Sequence, residues 1–466
     1  MSHRFALLAI VTALALFSPR TEADTLSLVG TSAKICQLTG QIDWATNTPT
    51  AAQTWTNDKL FGVDLGYPVD SGAGGLYFLF GDAWPIGHEV LDPLFADDAL
   101  GMTTRIAVPD GSSCLNLQLV TSAPQQFGHP TVWPQIEQGT FNVPTGGVFL
   151  GGTLFAFFWT NHCPAPNTVT PNPGAPLTLP TPSNHCTEVS VGTSLGTSQL
   201  AEASPGNPLA FIRTNAPDPT LVAPTGPGMP KGFIYVSASE RNVEFATHRS
   251  GVAVFGVPRY RASVPYLAMA PQGTFGNPAT WSYFAGLDAG GNPQWITYQQ
   301  WNSGTNGAGA WAPPQGAQIY TPPSNAEYCV GEHSVTWNEP LRRWLLVYNC
   351  GAYNIEARFA EKPWGPWSAP TSILNLTLYS PTSCTLIMYI DGCGPLVNYW
   401  QIPPAPPPPN TQVPPGFFYA PFVMNRFTQD ASVSGTPDRR ATIYWLVSTW
   451  NPYQTVVMQS TLELKP

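Results

Sequence analysis

Short apolar runs, separated by turns rich in glycine and proline, recur along almost the whole chain. The runs are rich in β-branched and aromatic residues, and none shows the helical apolar period over the length of a helix. The pattern therefore predicts an all-β protein. The predicted strands cover 76–80, 115–120, 143–148, 153–159, 233–237, 252–257, 264–270, 281–285, 334–337, 344–348, 385–390, 396–400, 417–423, 443–448 and 455–462.

The number of these strands limits the possible architectures. Many short strands joined by tight turns suit a sandwich, a barrel or a propeller. The 466-residue chain shows no sharp break in composition after its first residues, and the Pro-rich segment 403–415 is short enough to be a stiff polyproline loop. So many strands exceed what one sandwich accommodates. We therefore expect a propeller.

The N-terminal residues 1–23 have the features of a secretory signal peptide. An apolar run extends from Phe5 to Phe17, and a small-residue pattern ends at Ala23. The run is too short for a membrane anchor, so we expect an exported protein without a membrane attachment once the signal is removed. The net charge of −9 gives no basic surface for nucleic acid.

The eight cysteines of the chain suggest disulfides in an exported protein, although eight allow 105 pairings. The local pairs to test first are Cys329–Cys350, Cys163–Cys186 and Cys384–Cys393. Two Asn-His-Cys triplets, at 161–163 and 184–186, are also compatible with a zinc site, but a disulfide closing the Pro-rich loop 164–184 is favoured. We therefore expect no metal and no cofactor.

Two acids flank a strand-like run between Leu60 and Trp84. Asp64 and Asp82 each lie beside a glycine, where we expect the strand to end and the chain to bend. Acids at strand ends can face a cleft and approach a ligand, whereas unpaired acids buried within a strand would be costly. The simpler interpretation is that both are turn residues. Two acids bracketing one strand make a functional interpretation competitive.

Several segments, in order, resemble the family called domain of unknown function 4185 (DUF4185). They are GVDLG, LYFLFGDAW, DDALGMTT, VPTGGVFLGGTLFAFF, VFGVPRYRASVPYLA, VGEHSVTWNEPLRRWLLVYN, GPWSAP and STWNPYQTVVMQSTL. The resemblance runs from about Asp58 to about Leu462. Part of that family consists of exported glycoside hydrolases that act as endo-D-arabinanases. The Pro-rich loops 164–184 and 403–415, and Tyr67 after Asp-Leu-Gly, depart from the family pattern.

The resemblance implies a single five-bladed β-propeller over 58–466, preceded by a lead-in at 24–57. It also implies inverting hydrolysis of a D-arabinan, with the polysaccharide as the partner and a monomeric enzyme. Inversion needs one carboxylate that activates water and one carboxylic acid that protonates the leaving oxygen. The family's motif acids fall on Asp64 and Asp82. The order of similar propeller glycosidases favours Asp64 as the base.

Other residues are weaker candidates for the site. Glu332 lies beside a glycine before a strand and is a possible general acid, or else a surface charge paired with Arg342 or Arg343. Asp97, Asp98, Trp84, Tyr260 and Arg261 are candidates for sugar binding, and each has a structural alternative as a strand cap or a packing residue. Trp159 and Trp450 are candidate stacking platforms. His333 is expected to be structural.

Two other functions compete with the hydrolase. A non-catalytic carbohydrate-binding or cell-surface propeller would keep the fold without the chemistry. A sialidase would need three arginines around a substrate carboxylate, for which Arg105, Arg261 and Arg426 are available. The chain has no Ser-x-Asp-x-Gly-x-Thr-Trp repeat, which disfavours the sialidase.

Overall fold

The computed structural model describes residues 24–43, 45–72, 74–85, 97–119, 121–122, 126–127, 143–161, 191–199, 212–213, 229–259, 261–307, 309, 311–351, 354–375, 417–450 and 452–466. These residues form β-strands with two short α-helices, which confirms the all-β prediction. The expected signal peptide, the Pro-rich loops 164–184 and 403–415, and the cysteine pairs 163–186 and 384–393 lie outside the described residues. No described helix is long and apolar enough to cross a membrane.

The strands, in chain order, are β1 Thr25–Gln37, β2 Ile42–Asp43, β3 Thr48–Pro49, β4 Leu60–Asp70, β5 Leu76–Pro85, β6 Asp97–Thr103, β7 Gln118–Leu119, β8 Thr121–Ser122, β9 Gln126–Phe127, β10 Val143–Leu150, β11 Thr153–Asn161, β12 Val191–Gln199, β13 Ile212–Arg213, β14 Tyr235–Ala246, β15 Arg249–Val257, β16 Tyr266–Ala270, β17 Ser282–Leu287, β18 Pro293–Ile296, β19 Val330–Asn338, β20 Arg343–Cys350, β21 Asn354–Ala360, β22 Thr371–Asn375, β23 Phe417–Val423, β24 Gln429–Asp430, β25 Arg439–Trp450 and β26 Gln454–Lys465. The helices are α1 Thr54–Asp58 and α2 Tyr298–Ser303, with short 3₁₀ turns at Gln272–Thr274, Pro278–Thr280, Asn325–Glu327 and Asn425–Phe427.

Most strands belong to five antiparallel sheets in which chain neighbours pair. Sheet 1 contains β4 to β7, sheet 2 contains β10 to β13, sheet 3 contains β14 to β18, and sheet 4 contains β19 to β22. Sheet 5 has the order β1-β26-β25-β23, with β24 paired to β25. The segment 24–57, expected to be a lead-in, therefore contains a strand that completes the last sheet.

One edge strand of each sheet, called here its first strand, contacts the first strand of the next sheet. The first strands are β4, β10, β14, β19 and β23. β4 contacts β10, β10 contacts β14, β14 contacts β19, β19 contacts β23, and β23 contacts β4. Five apolar clusters fill the spaces between successive sheets, including the space between sheet 5 and sheet 1. Because each sheet is covered on both faces, its central strands read as nearly continuous apolar runs in the sequence.

Hydroxyl side chains join neighbouring first strands. An edge strand presents unpaired backbone amides, which need partners when they are buried. Here, a serine or threonine on one first strand accepts a hydrogen bond from a backbone amide of the next. The contacts are Val236 N to Thr145 Oγ1 (3.3 Å), Val335 N to Ser237 Oγ (3.1 Å) and Val423 N to Ser334 Oγ (3.0 Å).

Two disulfides are present in the described residues. Cys329–Cys350 links the ends of the β19–β20 hairpin, as predicted. Cys36–Cys114 joins the end of β1 to the segment before β7 and was not among the predicted pairs. The two cysteines are 78 residues apart in the sequence. Because β1 belongs to sheet 5 and Cys114 lies between β6 and β7 of sheet 1, the disulfide links these two sheets.

Candidate active site

The acids Asp64 and Asp82 lie inside strands, so the prediction that both stand at strand ends is wrong. Asp64 is in β4 and Asp82 in β5, and the Cα atom of Asp64 is paired with that of Gly81. β-Bulges make this possible, because the register shifts on both sides of Asp64 and again where β5 pairs with β6. A bulge redirects a side chain without ending the strand.

The backbone around the two acids is unusual. Asp82 has φ of 43° and Leu65 has φ of 59°, both in the left-handed region that non-glycine residues rarely adopt. Gly81 is required between them, since a Cβ atom there would lie 2.8 Å from the Leu65 side chain and 2.9 Å from Val143. Such backbone conformations persist where the surrounding structure enforces them, and they cluster at functional sites.

Asp64 is buried and accepts a hydrogen bond from a tyrosine of sheet 5. Tyr419 Oη donates to Asp64 Oδ2 at 2.7 Å. Burial raises the pKa of Asp64 well above its ordinary value, and the negative charges of Asp82 and Glu332 raise it further, while Tyr419 and Tyr453 oppose this rise through hydrogen bonds. The environment of Asp64 therefore favours the protonated form of this carboxyl group.

Part of the Asp82 side chain is exposed to solvent. Its environment nevertheless disfavours ionisation. Desolvation raises the pKa of Asp82 from 3.8 to about 7, and its titration is linked to that of Asp64. Two neighbouring carboxyl groups that interact this strongly titrate as a pair.

Glu332 reaches the same cluster from sheet 4. Its side chain is buried in a bulge of β19, and Arg261 Nη2 donates to Glu332 Oε1 at 3.1 Å. The adjacent Gly331 leaves room for this arginine, because a Cβ atom at Gly331 would lie 2.7 Å from Arg261 Cγ. Arg261 itself has φ of 53°, and its backbone amide donates to Val330 O. Arg261 therefore forms an ion pair with the buried Glu332 side chain.

The remaining sequence candidates have different positions. Arg261, predicted to bind sugar, contacts Glu332. Asp98 is buried on β6, opposite the bulge formed by Gly81 and Asp82. Trp84 lies in β5 and Asp97 in β6, but their side chains are outside the described atoms, as is the whole of Tyr260.

Tyr419 and Tyr453 are site residues that the sequence analysis did not single out. The charges of Asp64 and Asp82 both contribute to raising the pKa of each tyrosine, after the larger effect of burial, which places both hydroxyl groups within the acid cluster. Tyr453 occurs in the closing STWNPYQ segment of the family resemblance, which was the available signal. Tyr419 had no such signal.

Aromatic rings extend outward from Tyr419. Phe417 lies 5.5 Å from the Tyr419 ring and stacks on Trp450 at 5.6 Å, and Trp450 meets Tyr453 edge-on at 5.5 Å. Phe417 and Trp450 are partly exposed, so a continuous row of aromatic rings extends from the surface to the buried acids. The flat surface of such rings suits the apolar faces of a sugar.

His333 has a structural position, as expected. Its ring is buried and its Nδ1 lies 3.0 Å from Gly331 O. Burial lowers the pKa of His333 to about 4, so that the side chain is neutral at pH 7. A neutral, enclosed imidazole of this kind supports the bulge that carries Glu332.

The three arginines required by the sialidase alternative are not brought together. Arg105 pairs with Asp110, Arg261 with Glu332, and Arg426 with Asp70 through two of its nitrogens. Each arginine therefore already has a carboxylate of its own.

A possible metal-ligand set in the described part of the chain consists of Cys329, Cys350 and Glu356. Its two sulfur atoms form a disulfide, and metal binding by cysteine requires thiolates. These residues therefore do not fit a metal site.

The family comparison bears on the second half of the chain. The model of the family described as "Domain of unknown function (DUF4185)" matches residues 226–459, about half of the sequence. The chain belongs to the DUF4185 family. The matched region of this DUF4185 protein contains Arg261, Glu332, Tyr419 and Tyr453, whereas Asp64 and Asp82 precede it.

Solved structures similar to this DUF4185 protein share little sequence with it. One from Bacteroides ovatus ATCC 8483 has a TM-score of 0.45 at 12% identity, covering 87% of this chain and 86% of that chain. The GH43_1 enzyme from Xanthomonas citri has 0.36 at 10% identity, with coverage of 86% and 88%. Trypanosoma rangeli sialidase has 0.36 at 7% identity, with coverage of 94% and 59%. None of the curated proteins matches the chain.

Proposed function

We propose that this DUF4185 protein is an exported glycoside hydrolase that cleaves a furanose polysaccharide, with endo-acting, inverting hydrolysis of D-arabinan as the preferred reaction. The single observation that carries the proposal is the pair Asp64 and Asp82, two carboxyl groups on neighbouring strands whose pKa values are both raised by burial. Glycoside hydrolysis requires one protonated and one ionised carboxyl group in the same site.

We also propose that the five sheets are the blades of one β-propeller. The support is the cyclic contact of the first strands and the apolar cluster between sheet 5 and sheet 1. In this arrangement, Asp64, Glu332 and Tyr419, from first strands of three sheets, converge at the central axis. A propeller of this kind places its site where the inner strands meet.

In the proposed mechanism, Asp64 is the general acid. It is the more buried of the two aspartates, and the negative charges of Asp82 and Glu332 also raise its pKa, so the proton of the general acid is assigned to Asp64. Asp82 is the more exposed partner and, once ionised, activates water as the base. This assignment reverses the expectation from chain order, in which Asp64 is the base.

Glu332 has a supporting role in this mechanism. Paired with Arg261, it places a negative charge close to Asp64, which contributes to the raised pKa of the acid. The same charge also stabilises positive charge that develops on the sugar ring in the transition state. Phe417 and Trp450 provide the flat surface on which the sugar lies.

The proposal predicts the pH dependence of hydrolysis. Asp82 must be ionised to act as a base, so the rate should fall as pH drops below about 7, the pKa of that group. At high pH the rate should fall again as Asp64 loses its proton. A rate independent of pH between 5 and 8 would contradict the pairing.

The central experiment uses the purified protein with D-arabinan, L-arabinan and levan. Release of oligosaccharides from D-arabinan, and an anomer of inverted configuration in the first NMR spectra, would support the preferred reaction. Asp64→Asn and Asp82→Asn should each reduce release by about 10²–10⁴-fold. Asp430→Asn, which alters an exposed aspartate far along sheet 5, is the matched control and should behave as the wild type.

A substrate with a nitrophenyl leaving group separates the two roles, because its departure needs no protonation. Asp64→Asn should retain most of its activity on this substrate, whereas Asp82→Asn should not. The opposite result would make Asp64 the base. If no polymer is cleaved but one is bound, the alternative of a non-catalytic carbohydrate-binding propeller replaces the proposed hydrolase.

A further inference from the structure

A pocket of about 500 Å³ lies between the outer strands of sheets 3 and 4, formed by β17, β21 and the segments 316–323 and 364–369. It does not include the first strands, which carry Asp64 and Glu332, and so it is separate from the candidate active site. Pockets of this size are typical of small-molecule sites.

The charge in this pocket is already neutralised. Arg358 is the charged residue of its lining, and each of its three side-chain nitrogens donates a hydrogen bond. The acceptors are Glu327 Oε2 at 2.8 Å, Tyr348 Oη at 2.9 Å and Ser368 O at 2.7 Å. The Arg358 guanidinium also lies 4.2 Å from the ring centroid of Tyr320. The pocket therefore offers no free cation to a phosphate or a carboxylate.

The rest of the lining combines flat apolar surfaces with neutral polar groups. Leu287 is 47% exposed at the rim, and Trp364 is half-buried with its edge against Trp295. Gln318 and Thr321 add neutral donors and acceptors. The Tyr320 ring also lines the pocket, and its hydroxyl is buried beneath the surface.

We propose that this pocket is a second, non-catalytic binding site for a neutral oligosaccharide. Sugars present both apolar faces and uncharged hydroxyl groups, which match the indole of Trp364 and the neutral polar side chains of Gln318 and Thr321. The identity of the sugar rests on the proposed function, in which this site holds a distant part of the same polysaccharide. Two linked sites bind a polymer more tightly than either does alone.

The test uses affinity electrophoresis in gels that contain D-arabinan, L-arabinan or xylan. The background is the inactive Asp64→Asn/Asp82→Asn protein, so that the polymer is not consumed. Adding Trp364→Ala should weaken retention by one polymer about 2- to 10-fold. Trp364→Phe, which keeps a flat ring, should restore most of it. Ile106→Ala, at an exposed apolar residue between β6 and β7, should have no effect.

In the otherwise wild-type enzyme, Trp364→Ala should leave hydrolysis of a short nitrophenyl substrate unchanged. Retention that is the same with and without Trp364 overturns the pocket proposal, as does preferential binding of a synthetic peptide with the Pro-rich sequence 403–415. If Trp364-dependent retention persists although no polymer is cleaved, the hydrolase proposal fails and the pocket proposal stands. Cleavage with Trp364-independent retention gives the reverse result.

Discussion

Replacing Asp82 by Asn should stabilise the folded protein at neutral and alkaline pH while removing activity. In the folded state, burial raises the pKa of Asp82 from 3.8 to about 7, so ionisation costs more in the folded chain than in the unfolded chain. Asn is uncharged, similar in shape and tolerant of the positive φ at this position. The substitution therefore removes the electrostatic cost without adding strain.

The magnitude follows from the pKa. A rise from 3.8 to about 7 corresponds to about 4 kcal/mol if Asp82 is fully ionised and independent. Asp82 is only partly buried and its titration is linked to that of Asp64, so we expect about 1–2 kcal/mol, which corresponds to an increase in Tm of roughly 1–2 °C for a chain of this length. Because the folded state holds the proton more tightly, wild-type stability falls as pH rises from about 4 to about 7 and then levels off.

The assay is urea unfolding of the wild type and Asp82→Asn at several pH values between 4 and 8.5, followed by tryptophan fluorescence. The two proteins should have similar free energies of unfolding near pH 4, and the variant should be more stable above pH 7. Asp430→Asn is the control, and its effect on the free energy of unfolding should have the opposite sign. Hydrogen bonds from Ser432 lower the pKa of this exposed aspartate. A variant that is less stable than the wild type at pH 8 would refute the reasoning.

Three further predictions concern the neighbours of this pair. Arg261→Met should destabilise the fold by about 3–5 kcal/mol in urea unfolding, because Glu332 remains buried without its cation. The double variant that also carries Glu332→Gln should regain stability but not activity. Tyr419→Phe should move the alkaline limb of the pH–rate profile to higher pH, since one hydrogen bond that lowers the pKa of the general acid is lost. Replacing both Cys36 and Cys114 by Ser should lower the free energy of unfolding by about 4 kcal/mol, because the disulfide closes a loop of 78 residues. Equal stability of this variant and the wild type would contradict the prediction.

The fold class could be predicted from sequence because burial of both sheet faces leaves a local signal. The apolar run of β11 after the Gly151-Gly152 turn is an example, and both glycines have the positive φ that such a turn requires. The Cys329–Cys350 pair was also predictable, because the two cysteines bracket one hairpin. These features depend on residues close together in the chain.

The features that sequence did not reveal depend on distant segments. β1 pairs with β26, which is more than 400 residues away, and no local pattern in β1 indicates its partner. Tyr419 meets Asp64 across a separation of 355 residues. Arg261 and Glu332 are 71 residues apart, so the prediction that Arg261 binds sugar did not account for this ion pair. The bulges at Asp64 and Asp82 arise from register shifts, which residue types alone do not specify.

The pairing of β1 with β26 has a consequence for when the site comes into existence. Asp64 belongs to sheet 1, but Tyr419 and Tyr453, which surround it, arrive with sheet 5, and that sheet is complete only after the final strand has joined the first. Contacts of such long sequence separation form late in folding. During synthesis, a ribosome-bound chain that still lacks β26 would therefore carry both aspartates without Tyr419 and Tyr453 in place, and the buried environment that raises the pKa of Asp64 would be complete only after β26 has paired with β1.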